Sequence, residues 1–170
     1  MEKEDYLLSS FNNVQSLIRF ADQKVASILL VDTITIGIFV SKASELTISL
    51  SLITFWGFIA FISGVVFIIS NLIALYKSIL KVLKPRFAKF YKPKEISLFY
   101  FEHIANSSKV DIQNKANKIS KSKMNEELSA QLYEISKILN KKNNQVSQIC
   151  TCLFVSIITF LIFLVTIPFL

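Results

Sequence analysis

From Leu46 to Tyr76 the chain runs for 31 residues without one charged side chain, and no other feature restricts its possible folds as severely. As a helix at about 1.5 Å per residue this run is roughly 46 Å long. That exceeds a hydrocarbon core of about 30 Å, so it must tilt or project. Ile149 to Leu170 is likewise uncharged over 22 residues and makes a clean spanning helix. Val25 to Val40 is shorter, 16 residues interrupted by Asp32. Composition fits these stretches: 52% of the 170 residues are hydrophobic and 18% charged, with a mean hydropathy of +0.51. A soluble domain carries about 25% charged residues, and disorder is excluded by the apolar excess. The expected fold class is an all-α membrane protein with three transmembrane helices and a helical cytoplasmic segment between the second and third.

The expected organisation is an amphipathic cytoplasmic helix over 1–24, spans over 25–41 and 46–76, a cytoplasmic segment over 77–148, and a last span over 149–170. Lys3, Arg19 and Lys24 precede the first span, only Lys42 lies in the turn Ser41 to Glu45, and residues 77–148 carry fourteen Lys plus Arg86. Eighteen of nineteen basic residues thus fall on one side, which the positive-inside rule makes cytoplasmic. The N-terminus is then cytoplasmic. Met1 to Lys24 is too mixed for a signal peptide, so it is expected to be retained.

Leu7, Phe11, Val14, Ile18, Ala21, Val25 and Ile28 follow at spacings of 4 and 3, so an amphipathic helix continues into the first span. Leu128, Leu132, Ile135, Leu139, then Val146, Ile149 and Leu153 do the same into the third, interrupted only at Lys142. Such seams pair helices within a chain or between subunits. Pro85 stops or kinks the second span's continuation, and Pro93 is placed to open a helix from Lys94 to about Ser107. Ser108 to Ser122 is polar and lysine-rich, and its periodicity leaves helix and loop both open. Arg86 to Lys92 interleaves basic and aromatic residues; an interfacial belt is favoured over a phosphate-and-base grip.

Catalytic chemistry is missing. Three glycines and no glycine-rich phosphate loop, nucleophile elbow or zinc motif argue against an enzyme. His103 has no second ligand at metal spacing, and no cofactor is expected. Cys150 and Cys152 are too close to staple distant parts and read as small packing residues. Arg19 and Asp22, at i and i+3, form a surface pair or part of a polar ligand cuff. Asp32 stands roughly 10 Å into the first span, where a lipid-facing carboxylate costs a few kcal/mol. It extends the stripe of Val25 and Ile28. Two readings stand: a gating position lining an ion path or closed pore, or a neutral or paired side chain that glues helices together.

The run Leu17-Ile-Arg-Phe-Ala-Asp-Gln-Lys-Val-Ala-Ser-Ile-Leu-Leu30 resembles the motif at the head of the first span in the Pycsar transmembrane effector family. Leu98-Phe-Tyr-Phe-Glu-His-Ile-Ala105 and the stretch from Leu128 to Asn143 are similar to its other two blocks, in the same order before a final span. The chain departs from the pattern at Val25, where a small residue is usual, and at Asn143, where a tyrosine is expected. The resemblance implies bacterial anti-phage defence: infection triggers a nucleotidyl cyclase, the functional partner, to make cyclic CMP or cyclic UMP. The effector answers by impairing the inner membrane, an abortive infection. Related effectors answer cyclic oligonucleotides.

A net charge of +9 over residues 77–148, from 15 basic and 6 acidic residues, suits an anionic nucleotide or phospholipid. On charge and aromaticity the candidate ligand contacts are Arg19, Lys24, Arg86, Tyr91, Tyr133 and Lys141. The expected partners are a cyclic mononucleotide, the bilayer and further copies of the chain, with no nucleic-acid polymer. The competing readings are a ligand-independent holin-like pore or ion channel, and a non-conducting membrane scaffold or immunity protein.

Overall fold

The computed structural model describes residues 3–46, 55–84 and 97–169, and the described residues are helical apart from short turns. The order is α1 (Lys3–Leu46), α2 (Phe55–Lys77) ending in a π-helical turn (Ser78–Leu83), α3 (Phe101–Ala105), α4 (Lys109–Lys118), α5 (Lys121–Thr166) and a closing 3-10 turn (Ile167–Phe169). Helices α1, α2 and α5 are each long and apolar enough to cross a membrane. The chain is an all-α membrane protein with three such helices. It divides into a polar unit, Met1–Phe20 with Arg86–Lys141, and an apolar unit, Ala21–Pro85 with Lys142–Leu170.

In the apolar unit, three helices meet along seams of period 3 and 4. The α1 seam is Ala21, Val25, Ile28, Asp32 and Phe39; the α5 seam is Lys142, Val146, Ile149, Ser156, Phe160 and Phe163. The α2 seam is mostly small, Gly57, Ala60, Ser63, Gly64, Ser70 and Ala74, with Phe67 and Asn71 among them. Phe58, Phe61, Ile69 and Leu72 point outward instead. Lipid chains are as apolar as these side chains, so burial alone does not drive the helices together, and small residues allow the close packing that does.

Two apolar clusters result. One joins Ala21, Val25 and Ile28 to Ala74, Val82, Val146 and Ile149. The other joins Phe39 to Ala60, Phe67, Phe160 and Phe163, with Phe39 wedged 4.7 Å from both Phe67 and Phe163 by ring centroid. Beyond it Trp56 stacks on Phe169 at 4.8 Å.

A Cβ on Gly64 would lie 3.3 Å from Phe39 Cζ, whereas one on Gly37 would meet nothing within 4 Å. Phe39 is held by rings on two sides and has little room to yield. Gly64→Ala is therefore expected to destabilise the bundle by about 1–2 kcal/mol, and Gly37→Ala to leave it unchanged or slightly firmer. Thermal unfolding of the two variants in one detergent checks the difference.

Three expectations need correction. Ser41 to Glu45 is not a turn: α1 continues to Leu46, no glycine or proline falling between Ser41 and Leu46, and Ser44 Oγ donates to the Ser41 carbonyl at 2.7 Å. Among the described residues the expected helix from Lys94 to Ser107 is limited to α3; residues 85–96, with Pro85, Pro93 and Lys94, lie outside the described residues, while Ser97 to Tyr100 forms a turn. There side chains take the backbone donors a helix would need, Phe99 N–H donating to Ser97 Oγ and Ser97 N–H to His103 Nδ1. Thirdly, only Cys152 of the two cysteines packs against the core; Cys150 is exposed.

The undecided stretch after Ser107 is helix α4. Ser108 caps it, accepting from Asp111 N–H at 3.1 Å while donating to the Asp111 carboxylate at 2.7 Å.

Candidate functional site

The polar unit is organised by the first part of α5. Leu128 and Ile135 are buried there, and so are Gln131 and Glu134. The buried face is thus turned from the expected Leu128, Leu132, Ile135 line toward two polar residues; Leu132 is half-buried. Around it Lys115 pairs with Glu127 at 2.6 Å, and the other Glu127 oxygen accepts from Leu98 N–H at 3.3 Å. Tyr100, itself buried, meets His103 edge to face at 4.9 Å.

Of the candidate ligand residues, Tyr133 and Lys141 lie exposed on α5. Lys137 stands between them, four residues from each, its ammonium 5.3 Å from the centroid of the Tyr133 ring. The three make one stripe of a ring and two cations. Arg19 is exposed on the α1 part of the same unit, whereas Lys24 is exposed on α1 within the apolar unit. Arg86 and Tyr91 lie outside the described residues. Among the described residues no three His, Cys, Asp or Glu side chains gather as a metal site would require.

In the apolar unit, Lys142 explains its own interruption of the stripe. It is buried on the seam, and its ammonium reaches Asp22 Oδ1 at 2.6 Å. Asp22 therefore serves Lys142 and not Arg19. Six residues farther along α5, Gln148 Oε1 accepts from Lys77 Nζ at 2.9 Å. The pairing was missed in sequence, though its signal was present: a cation on an apolar seam needs an acidic partner on the facing seam, and Asp22 adjoins seam residue Ala21.

Asp32 lies in the same unit, at 0% exposure on the seam side of α1. Along their helices Asn71 of α2 and Ser156 of α5, also buried, likewise fall between members of the two apolar clusters. Asn71 Nδ2 donates to Ser156 Oγ at 2.7 Å and to the Phe67 carbonyl at 2.8 Å. Neither polar partner was evident in the sequence, because an isolated Asn or Ser in an apolar run shows no periodic signature.

Comparison with known proteins places this architecture. The family described as PycTM, Pycsar effector protein domain, matches residues 6–169. The Pycsar effector protein TpPycTM of Treponema porcinum is 50% identical over 98 residues, covering 58% of this chain and 80% of that protein. No solved structure matches. The family match spans nearly the whole chain, including all three apolar helices: the chain belongs to the Pycsar transmembrane effector family, membrane effectors of anti-phage defence associated with cyclic-nucleotide signalling.

Proposed function

We propose that the protein binds a cyclic mononucleotide, cyclic CMP or cyclic UMP, on the cytoplasmic side of the bacterial inner membrane and impairs that membrane in response. The N-terminus is cytoplasmic, and copies of the chain associate when the leak forms. The observation that carries this reading is the family match across residues 6–169, joined to the build of α1 and α5. Each of these helices supplies residues to both units within one unbroken element. A ligand that binds one arrangement of such helices better than another shifts them, and a change from 1:99 to 99:1 takes about 5.5 kcal/mol of differential binding.

In this proposal the phosphate is met by Arg19, Lys24, Arg86 and Lys141, and the base stacks on Tyr91 or Tyr133. The stripe of Tyr133, Lys137 and Lys141 supports the second half of that assignment, since it offers a ring beside two cations. Asp32 is carried as the gating residue.

Purified protein in liposomes is expected to release an entrapped dye when cyclic CMP or cyclic UMP is added. Lys141→Ala is expected to weaken nucleotide binding roughly tenfold or more, as loss of a charge-assisted hydrogen bond does. Liposomes that stay tight while the protein binds neither nucleotide would refute the proposal. Leakage without any nucleotide would instead establish the ligand-independent pore.

A further inference from the structure

Both oxygens of Asp32 and the Oδ1 of Asn71 are buried without a hydrogen-bond partner. The two side chains are 0% and 2% exposed, so bulk solvent does not reach them. The Asn71 amide cannot be turned to help: both its hydrogens are already committed, to Ser156 Oγ and to the Phe67 carbonyl. Reversing it would set Oδ1 against that carbonyl, acceptor against acceptor. Its oxygen therefore stays free.

Among the described residues no side-chain charge answers this set. On α1 the nearest cations in sequence are Lys24 and Lys42, eight and ten residues from Asp32, or roughly 12 and 15 Å along a helix. On α2 the first is Lys77, six residues past Asn71 and bonded to Gln148. On α5 it is Lys142, fourteen residues before Ser156 and paired with Asp22. The other titratable groups of these facing segments are Tyr76, Cys150 and Cys152, and Cys152 packs against the neighbouring apolar cluster. Three acceptor oxygens at one level, walled off above and below by apolar side chains, require a positive charge from outside the chain.

We propose that Asp32 and Asn71, beside Ser156, hold a single monovalent cation, H+ or Na+, between α1, α2 and α5. A proton satisfies the site by making the carboxyl group a donor toward an amide oxygen. Sodium satisfies it by binding the same oxygens directly. In both cases the occupant joins a carboxylate of one helix to an amide of another.

The test uses the full chain in detergent, following thermal unfolding of wild type and of Asp32→Asn, which keeps the shape and supplies its own donors. One arm lowers the pH from 8.5 to 5.5 in choline chloride; the other replaces choline by Na+ at pH 8.5. Wild type is expected to gain about 5 °C relative to Asp32→Asn in one of the two arms, the size of shift expected for saturating a tight site. A gain on acidification identifies the proton, and a gain with Na+ identifies sodium. Equal responses of both proteins in both arms would overturn the proposal. If Asp32→Asn does not fold, Asn71→Asp takes its place: a second carboxylate must deepen the dependence in the responding arm, and an unchanged dependence overturns the site.

Discussion

Asp22→Lys is expected to prevent stable assembly of the apolar unit, and exchange of both partners, Asp22→Lys with Lys142→Asp, to recover much of what is lost. The Lys142 side chain is 9% exposed and its ammonium lies 2.6 Å from Asp22 Oδ1. A second ammonium at that distance replaces attraction by repulsion in partly desolvated surroundings, which costs several kcal/mol. The milder Asp22→Asn leaves Lys142 buried without its counter-charge. For a fully buried pair that costs about 3–5 kcal/mol, but the Asp22 side chain is 36% exposed, so about 2 kcal/mol is the expected loss here. Thermal unfolding of wild type, Asp22→Lys, Lys142→Asp and the exchange forms a double-mutant cycle. Failure of the exchange to recover any stability would show that the residues do not act as a pair.

Phe67→Ala is the second large effect expected. Phe67 is 1% exposed, with ring centroids 4.7 Å from Phe39 and 5.4 Å from Phe160. In a soluble core such a truncation costs about 3–5 kcal/mol. Surrounding lipid removes part of the transfer term, because the unpacked ring returns to an apolar medium. The lost contacts and the cavity remain. A loss of about 2–3 kcal/mol follows, or roughly 5–10 °C in melting temperature for a chain of this size. Phe58→Ala removes the same ring from the outward face of α2, where it is 60% exposed, and is expected to change stability by less than about 0.5 kcal/mol. Equal losses from both variants would contradict the described orientation of α2.

The spanning helices were legible because they need only length and absence of charge, and the continuity of α1 and α5 because a spacing of 3 and 4 survives the change from polar to apolar surroundings. What depends on a partner was not legible. Ser97 to Tyr100 has the composition to join a helix, yet the Ser97 hydroxyl and His103 imidazole bind its backbone donors. The buried face of α5 in the polar unit includes Gln131 and Glu134, residues that an apolar stripe passes over by construction. The candidate ligand residues share a type, cation or ring, and type says nothing of convergence. Tyr133 and Lys141 share a stripe with Lys137 because their spacing is helical, while the relation of Arg19 to them is a tertiary matter. Asp32 was found for the opposite reason: one carboxylate in an apolar run is visible without any partner, but Asn71 and Ser156 are not.

The layer of Asp32, Asn71 and Ser156 between two apolar clusters also makes the bundle mechanically anisotropic. Sliding α1 along its axis by one turn, about 5.4 Å, would carry the carboxylate out of the company of the amide and hydroxyl and into a wall of aromatic or aliphatic side chains. Turning the same helix about its own axis by a few tens of degrees keeps Asp32 at the level of its polar neighbours. The polar layer therefore opposes piston motion more than it opposes a twist, and Phe39, wedged between Phe67 and Phe163, is what limits the twist in turn.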